Sequence, residues 1–122
     1  MIYVMSDIHG NLEAFKAVVA DARKRECKKF ICLGDLTGYG PKSRECIQFA
    51  IKTMDVCLMG NHDVVCCGKE MPLEFASNKN FDVDIETGRC LAEDEKSWLA
   101  ARPYVWSQDE FACAHSEFSS PS

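Results

Sequence analysis

Four short apolar runs punctuate the chain: Ile2–Met5, Phe30–Leu33, Val56–Met59 and Phe111–Ala114. Each has the length of a short strand rather than a helix. Between the first two, Leu12, Phe15, Val18, Val19 and Ala22 recur at helical spacing. Asn11 can cap that helix, and Arg23, Lys24 and Arg25 put positive charge near its end, where the helix dipole favours it. Cys46, Ile47, Phe49 and Ala50 supply the buried side of a second helix. Pro41, closing the loop Gly38-Tyr39-Gly40-Pro41, is expected to open that helix. The resulting β-α-β-α-β order predicts parallel strands joined by right-handed crossovers, with Ile2–Met5 as a buried strand.

The second half is less regular. Gly68 and Pro72 interrupt residues 61–80. A helix is expected over Asn78–Ala92 and another over Glu93–Ala101, with Trp98 and Leu99 facing inward. Tyr104–Trp106 and Phe111–Ala114, separated by Ser107-Gln108-Asp109-Glu110, read as a hairpin. Ser116 to Ser122 is polar and small, as a loop would be. Without repeats or a linker, residues 1–122 read as one domain of α/β class.

Composition narrows the function. The formal charge of −5 argues against a broad nucleic-acid surface, which would favour a basic face. No apolar stretch of about 18 residues exists to cross a membrane. Asp7 interrupts the N-terminal apolar run too early for a secretory signal. Cys32, Cys57 and Cys113, three of eight cysteines, sit inside the strand-like runs as small core hydrophobes. There is no C-x-x-C pair, and the expectation is reduced thiols in the cytoplasm. Trp98 and Trp106 are expected in the core.

Each apolar run leads to a residue that can bind a metal or move a proton. Asp7 and His9 follow the first run, Gly34-Asp35 the second, Gly60-Asn61-His62-Asp63 the third and His115 the fourth. Ligands bind at the carboxyl ends of strands in open α/β sheets, so adjacent strand ends would form one site. Asp7 and His9 can lean toward a single point. Asp35 has two oxygens and can bridge two cations. Asn61 offers a carbonyl oxygen and His115 an imidazole. This nitrogen and oxygen set suits manganese, iron, zinc or nickel. His62 is expected over the site, since neighbours on a strand point apart, where it can protonate a leaving oxygen. Asp63 is expected to orient it. Tyr39 either lines the approach to the site or packs within its loop.

Asp7-Ile8-His9, Gly34-Asp35 and Gly60-Asn61-His62-Asp63 resemble the D-x-H, G-D and G-N-H-D signatures of calcineurin-like metallophosphoesterases, in the family's order and at similar spacing. Gly38-Tyr39-Gly40-Pro41 is similar to the small bacterial and archaeal phosphodiesterase branch, as is the stretch from Tyr104 to His115. The resemblance implies a sheet with flanking helices, a shortened version of the family's two-sheet α/β/β/α sandwich. It implies that Asp7, His9 and Asp35 hold one metal, that Asp35, Asn61 and His115 hold the other, and that His62 is the catalytic acid.

The implied function is hydrolysis of a phosphodiester, a phosphomonoester or a nucleotide by a dinuclear metal-activated hydroxide. The family's later G-H-x-H, which gives each metal one more histidine, has no counterpart, since the histidines are His9, His62 and His115. Two expectations follow. Either the chain is a product truncated at its C-terminus, or it is a shortened relative completed by water ligands or by a second copy covering the bare sheet. The rival function is a non-catalytic relative that binds a metal, a nucleotide or a protein partner.

Overall fold

A computed structural model describes residues 2–68, 82–108 and 111–115. Strands and helices alternate first: β1 (Ile2–Met5), α1 (Leu12–Lys24), β2 (Lys29–Cys32), α2 (Ser43–Thr53) and β3 (Val56–Cys57). β2 lies between β1 and β3 and is parallel to both, with Val4 opposite Ile31 and Ile31 opposite Val56. α1 is capped as its sequence suggests, the Asn11 side chain accepting from the Ala14 amide at 3.1 Å. Phe15 of α1 and Phe49 of α2 meet edge to face, ring centroids 4.8 Å apart.

The two-residue period of the strands divides the sheet. Tyr3, Met5, Phe30, Cys32 and Cys57 pack with Phe15, Val19, Ala22, Cys46, Ile47 and Ala50 in one core. The alternate β1 positions point away, leaving Ile2 43% and Val4 40% exposed. β1 is therefore half-buried rather than buried, because the helices cover one of its two faces. β3 is shorter than the apolar run Val56–Met59. The Met59 amide leaves the ladder to bond the Pro103 carbonyl at 2.8 Å.

Pro41 does not open α2. The Lys42 amide is held by the Gly10 carbonyl at 3.0 Å, so Pro41 and Lys42 form a turn against the β1 loop and the helix starts at Ser43. Four further elements follow α3 (Asn61–Cys66): α4 (Asp82–Cys90), α5 (Glu93–Ala100), β4 (Val105–Gln108) and β5 (Phe111–Ala114). β4 and β5 form the expected antiparallel hairpin, Trp106 opposite Cys113. It is tied to the sheet by Lys29, whose ammonium reaches Gln108 at 3.1 Å and lies over the Trp106 ring. Trp106 and Trp98 are half-buried, and Leu99 is fully buried. The helix expected over Asn78–Ala92 runs over Asp82–Cys90, with residues 78–81 outside the described segments. So are residues 109–110 of the hairpin turn and 116–122.

All eight cysteines are unbridged. Cys32, Cys57 and Cys113 are buried, as core residues should be. Burial pushes the Cys46 and Cys66 thiols up to about 12, where they carry almost no thiolate. No helix among the described residues is long and apolar enough to cross a membrane.

Candidate metal centre

The β1–β2 pairing continues past the strands. The Asp7 amide bonds the Gly34 carbonyl at 3.1 Å, His9 bonds Asp35 at 2.9 Å and Gly10 bonds Leu36 at 2.8 Å. These bonds hold Asp7 and His9 beside Asp35. The backbone there is strained: φ is +58° at Asp7, +48° at His9 and +60° at Asp35, all without glycine's freedom. Such left-handed residues persist where the surroundings over-determine them, and they cluster at functional sites. Gly34 also has a positive φ, +116°. A Cβ on it would stand 2.7 Å from the Gly60 amide nitrogen and 3.1 Å from His115 Nδ1, so glycine is what lets these segments converge.

Asp35 is the hub. Its Oδ2 is 3.8 Å from His9 Nε2 and 3.2 Å from His115 Nε2, and His9 Nε2 is 3.4 Å from Asp7 Oδ1. Both imidazoles are oriented by backbone carbonyls. His9 Nδ1 donates to Thr37 at 2.9 Å and His115 Nδ1 to Leu33 at 3.1 Å. Each therefore turns Nε2 toward the carboxylate. Metal-ligating histidines are commonly held this way, the other ring N–H on a backbone carbonyl. Donor atoms of Asp7, Asp35 and His115 lie within 4.8 Å of one another, and so do those of His9, Asp35 and His62.

Asn61, His62 and Asp63 stand at the start of α3, not along a strand. The strand-based reason for keeping Asn61 and His62 apart therefore fails. Both approach Asp35: the His62 amide donates to Oδ1 at 3.0 Å, and the Asn61 carboxamide sits against both carboxylate oxygens. Nor does Asp63 orient His62. Its fully buried carboxylate accepts from the amides of Asp35 (2.7 Å), Gly60 (3.0 Å) and Thr37 (3.2 Å), and from the Thr37 hydroxyl (3.0 Å). Asp63 ties the β2 loop to the start of α3, capping the helix through its third position. The carboxylate on His62 is Asp84 of α4, its Oδ2 2.6 Å from Nδ1. No motif marks Asp84, and it lies 22 residues further on. Tyr39, 58% exposed, rests its ring against both His9 and His62, centroids 5.0 and 4.9 Å away.

The family model for calcineurin-like phosphoesterases matches residues 1–119. The chain belongs to this family. Among curated relatives, it is 47% identical over 105 residues to the uncharacterized protein MJ0912 of Methanocaldococcus jannaschii, covering 86% of this chain and 43% of that protein. A shorter match, 34% over 65 residues, is to a symmetrical bis(5'-nucleosyl)-tetraphosphatase of Psychromonas ingrahamii, covering 51% and 24% of the two chains. Among solved structures, a metallophosphoesterase from Sphaerobacter thermophilus superposes with a TM-score of 0.73 at 30% identity, covering 91% of this chain and 44% of that one. The chain thus spans less than half the length of these relatives.

Whether this calcineurin-like phosphoesterase chain fits divalent cations is decided by its own atoms. The Asn61 carboxamide lies 3.0 and 3.1 Å from the two Asp35 oxygens, its amide nitrogen donating to them. Turned about, the same group offers its oxygen to a cation. His115 brings Nε2 to the same carboxylate at 3.2 Å, and a proton takes the place of a cation there. The adjacent Asp35 carboxylate raises the His115 pKa to about 9. Burial works to raise Asp35, but His115 and the His62 amide outweigh it and leave its pKa below the usual range. The donor set fits a divalent cation.

A pH dependence follows with a definite sign. Below about pH 9 His115 carries a proton that a cation must displace. Mn²⁺ affinity is expected to weaken about tenfold between pH 8 and pH 7 through this group alone. Calorimetric titration in buffers of different ionisation enthalpy would register the released proton. His115→Ala should flatten the dependence.

Proposed function

We propose that this chain is the cation-holding part of a hydrolase acting on a phosphorylated small molecule or a nucleotide, splitting a phosphodiester, phosphomonoester or phosphoanhydride. The observation that carries the reading is the convergence of Asp7, His9, Asn61 and His115 on one buried carboxylate, Asp35. Asp7, His9 and Asp35 would hold one cation, and Asp35, Asn61 and His115 a second. Mixed nitrogen and oxygen donors favour manganese, iron, zinc or nickel. Cations held there would neutralise phosphoryl oxygens and supply hydroxide near neutral pH.

The chain's own groups do the rest. His62, its ring beside His9 with centroids 4.9 Å apart, gives a proton to the departing oxygen. Asp63 keeps Asp35 and Gly60 in register. A dinucleoside polyphosphate is one candidate substrate, a choice supported by the name of the Psychromonas relative. Eight unbridged cysteines support a cytoplasmic setting.

The test is turnover of bis(p-nitrophenyl) phosphate by Mn²⁺-loaded protein beside His62→Ala. p-Nitrophenolate leaves without much help, so a difference of about tenfold is expected, below the usual range for a general acid. Equal, near-background rates at confirmed occupancy would favour the rival, a non-catalytic relative that binds metal, nucleotide or a protein partner.

A further inference from the structure

α4 is an unusual helix to find docked. Its fully buried residues are Asp84 and Gly88, one turn apart on the same face, while Val83 and Ile85 are 41% and 45% exposed. An ordinary amphipathic helix is held by an apolar stripe. Here the stripe centres on a carboxylate and a glycine. Gly88 has a packing reason: a Cβ on it would collide with the Cys66 carbonyl oxygen of α3. The missing side chain lets α4 close onto the helix that carries His62. Asp84 has no comparable reason. It is fully buried, and among the described residues its Oδ1 accepts no hydrogen bond. A buried acid with an unpaired oxygen is costly, so packing alone does not account for it.

What Asp84 does have is His62 Nδ1, at 2.6 Å from Oδ2. The geometry points to α4 as a positioning arm, delivering Asp84 to hold the proton of His62 on Nδ1 and to turn Nε2 toward the Asp35 cluster. Without such a partner an imidazole is free to place its single proton on either nitrogen and to rotate about its side-chain bonds. With it, the neutral ring has one tautomer and one orientation. In the imidazolium, the Nδ1 proton stays on the Asp84 bond and the Nε2 proton is the one given to the leaving oxygen. The ring is then left as the Nδ1–H form, already in its hydrogen bond, and recovers its Nε2 proton from solvent. Asp84 touches His62 rather than the reacting atoms. It is a positioning residue, and its role in turnover rests on the proposed hydrolase reading.

Two measurements separate that reading from the pairing itself. The first needs neither metal nor substrate. In ¹⁵N-labelled full-length protein, long-range ¹H–¹⁵N correlation of the His62 ring should show a strongly downfield Nδ1 proton and an unprotonated or site-facing Nε2. Asp84→Ala should abolish that proton and redistribute the tautomers, while native amide dispersion is kept and the melting temperature falls because the buried ring loses its partner. Asp84→Asn keeps an acceptor of the same shape and should retain the Nδ1 proton in part. A His62 ring unchanged in Asp84→Ala, or protonated on Nε2 alone in the wild type, overturns the assignment.

The second measurement is kinetic. Asp84→Ala should lower kcat by about 10- to 100-fold on an alkyl phosphodiester, with KM little changed. The effect should be smaller on a p-nitrophenyl ester and absent in a His62→Ala background. Additive losses in that double variant would overturn the assignment. A wild type with the predicted ring spectrum but no turnover would sink the hydrolase reading and leave the pairing standing.

Discussion

Asp63→Ala is expected to destabilise the fold by about 3 kcal/mol or more, although Asp63 is a charged side chain in the core. Two effects oppose each other. Burial, and then the charge of Asp35, raise the Asp63 pKa from 3.8 to about 6. Its contribution to stability is therefore greatest below the unfolded value and fades as pH rises through 6. At pH 7 the ionised group costs about 3 kcal/mol relative to its protonated form. Removing it relieves that cost.

Removal also orphans the amides of Asp35, Gly60 and Thr37 and the Thr37 hydroxyl, in a place no water reaches. Each unpaired buried donor costs about 1–3 kcal/mol, so the donors outweigh the relief. For a domain of this size the melting temperature should fall by roughly 10–20 °C. Urea and thermal unfolding of metal-free protein check it. A variant as stable as the wild type would show that these four bonds do not hold the loop.

Asp35→Asn should behave in the opposite way, folding normally and losing function. The contact that anchors this loop is the Asp35 backbone amide on Asp63, which the substitution leaves in place. The side chain is what His9, Asn61 and His115 converge on. An amide in its place carries no charge and offers one oxygen instead of two. Mn²⁺ affinity should fall by 100-fold or more, since disturbing an outer-shell partner already costs about 10–100-fold. Turnover should drop to the enzyme-free rate, a loss of roughly 10³-fold or more if the cations supply several kcal/mol. Unfolding curves that stay close to wild type would separate this loss from a folding defect.

The contrast between these neighbours explains what the sequence could reveal. Asp7, His9, Asp35 and Asn61 each follow a strand-like run, and parallel strands align their carboxyl ends, so position along the chain translates directly into position in space. His115 came the same way, behind the fourth run, although its strand belongs to the hairpin rather than the parallel sheet. Where a motif crossed from strand to helix the translation failed. Reading Asn61-His62-Asp63 as strand end gave Asp63 to His62, while its place in the first turn of α3 gives it to backbone amides.

Asp84 was out of reach for another reason. The helix that carries it has little apolar stripe, and its partner lies 22 residues away. The half-burial of β1 is not legible either, because a four-residue apolar run does not say how many faces are covered. Pro41 suits a first helical turn, yet the bond from Lys42 to Gly10 is a tertiary contact that no local pattern encodes.

In the proposed centre Asp7, His9, Asp35, Asn61 and His115 together hold a pair of cations. Electron paramagnetic resonance of Mn²⁺-titrated full-length protein tests it most directly. Two ions bound per chain are expected, with the spectrum of a spin-coupled pair that disappears in Asp35→Asn. A wild-type protein that binds no Mn²⁺, or only uncoupled ions indifferent to Asp35→Asn, would contradict it.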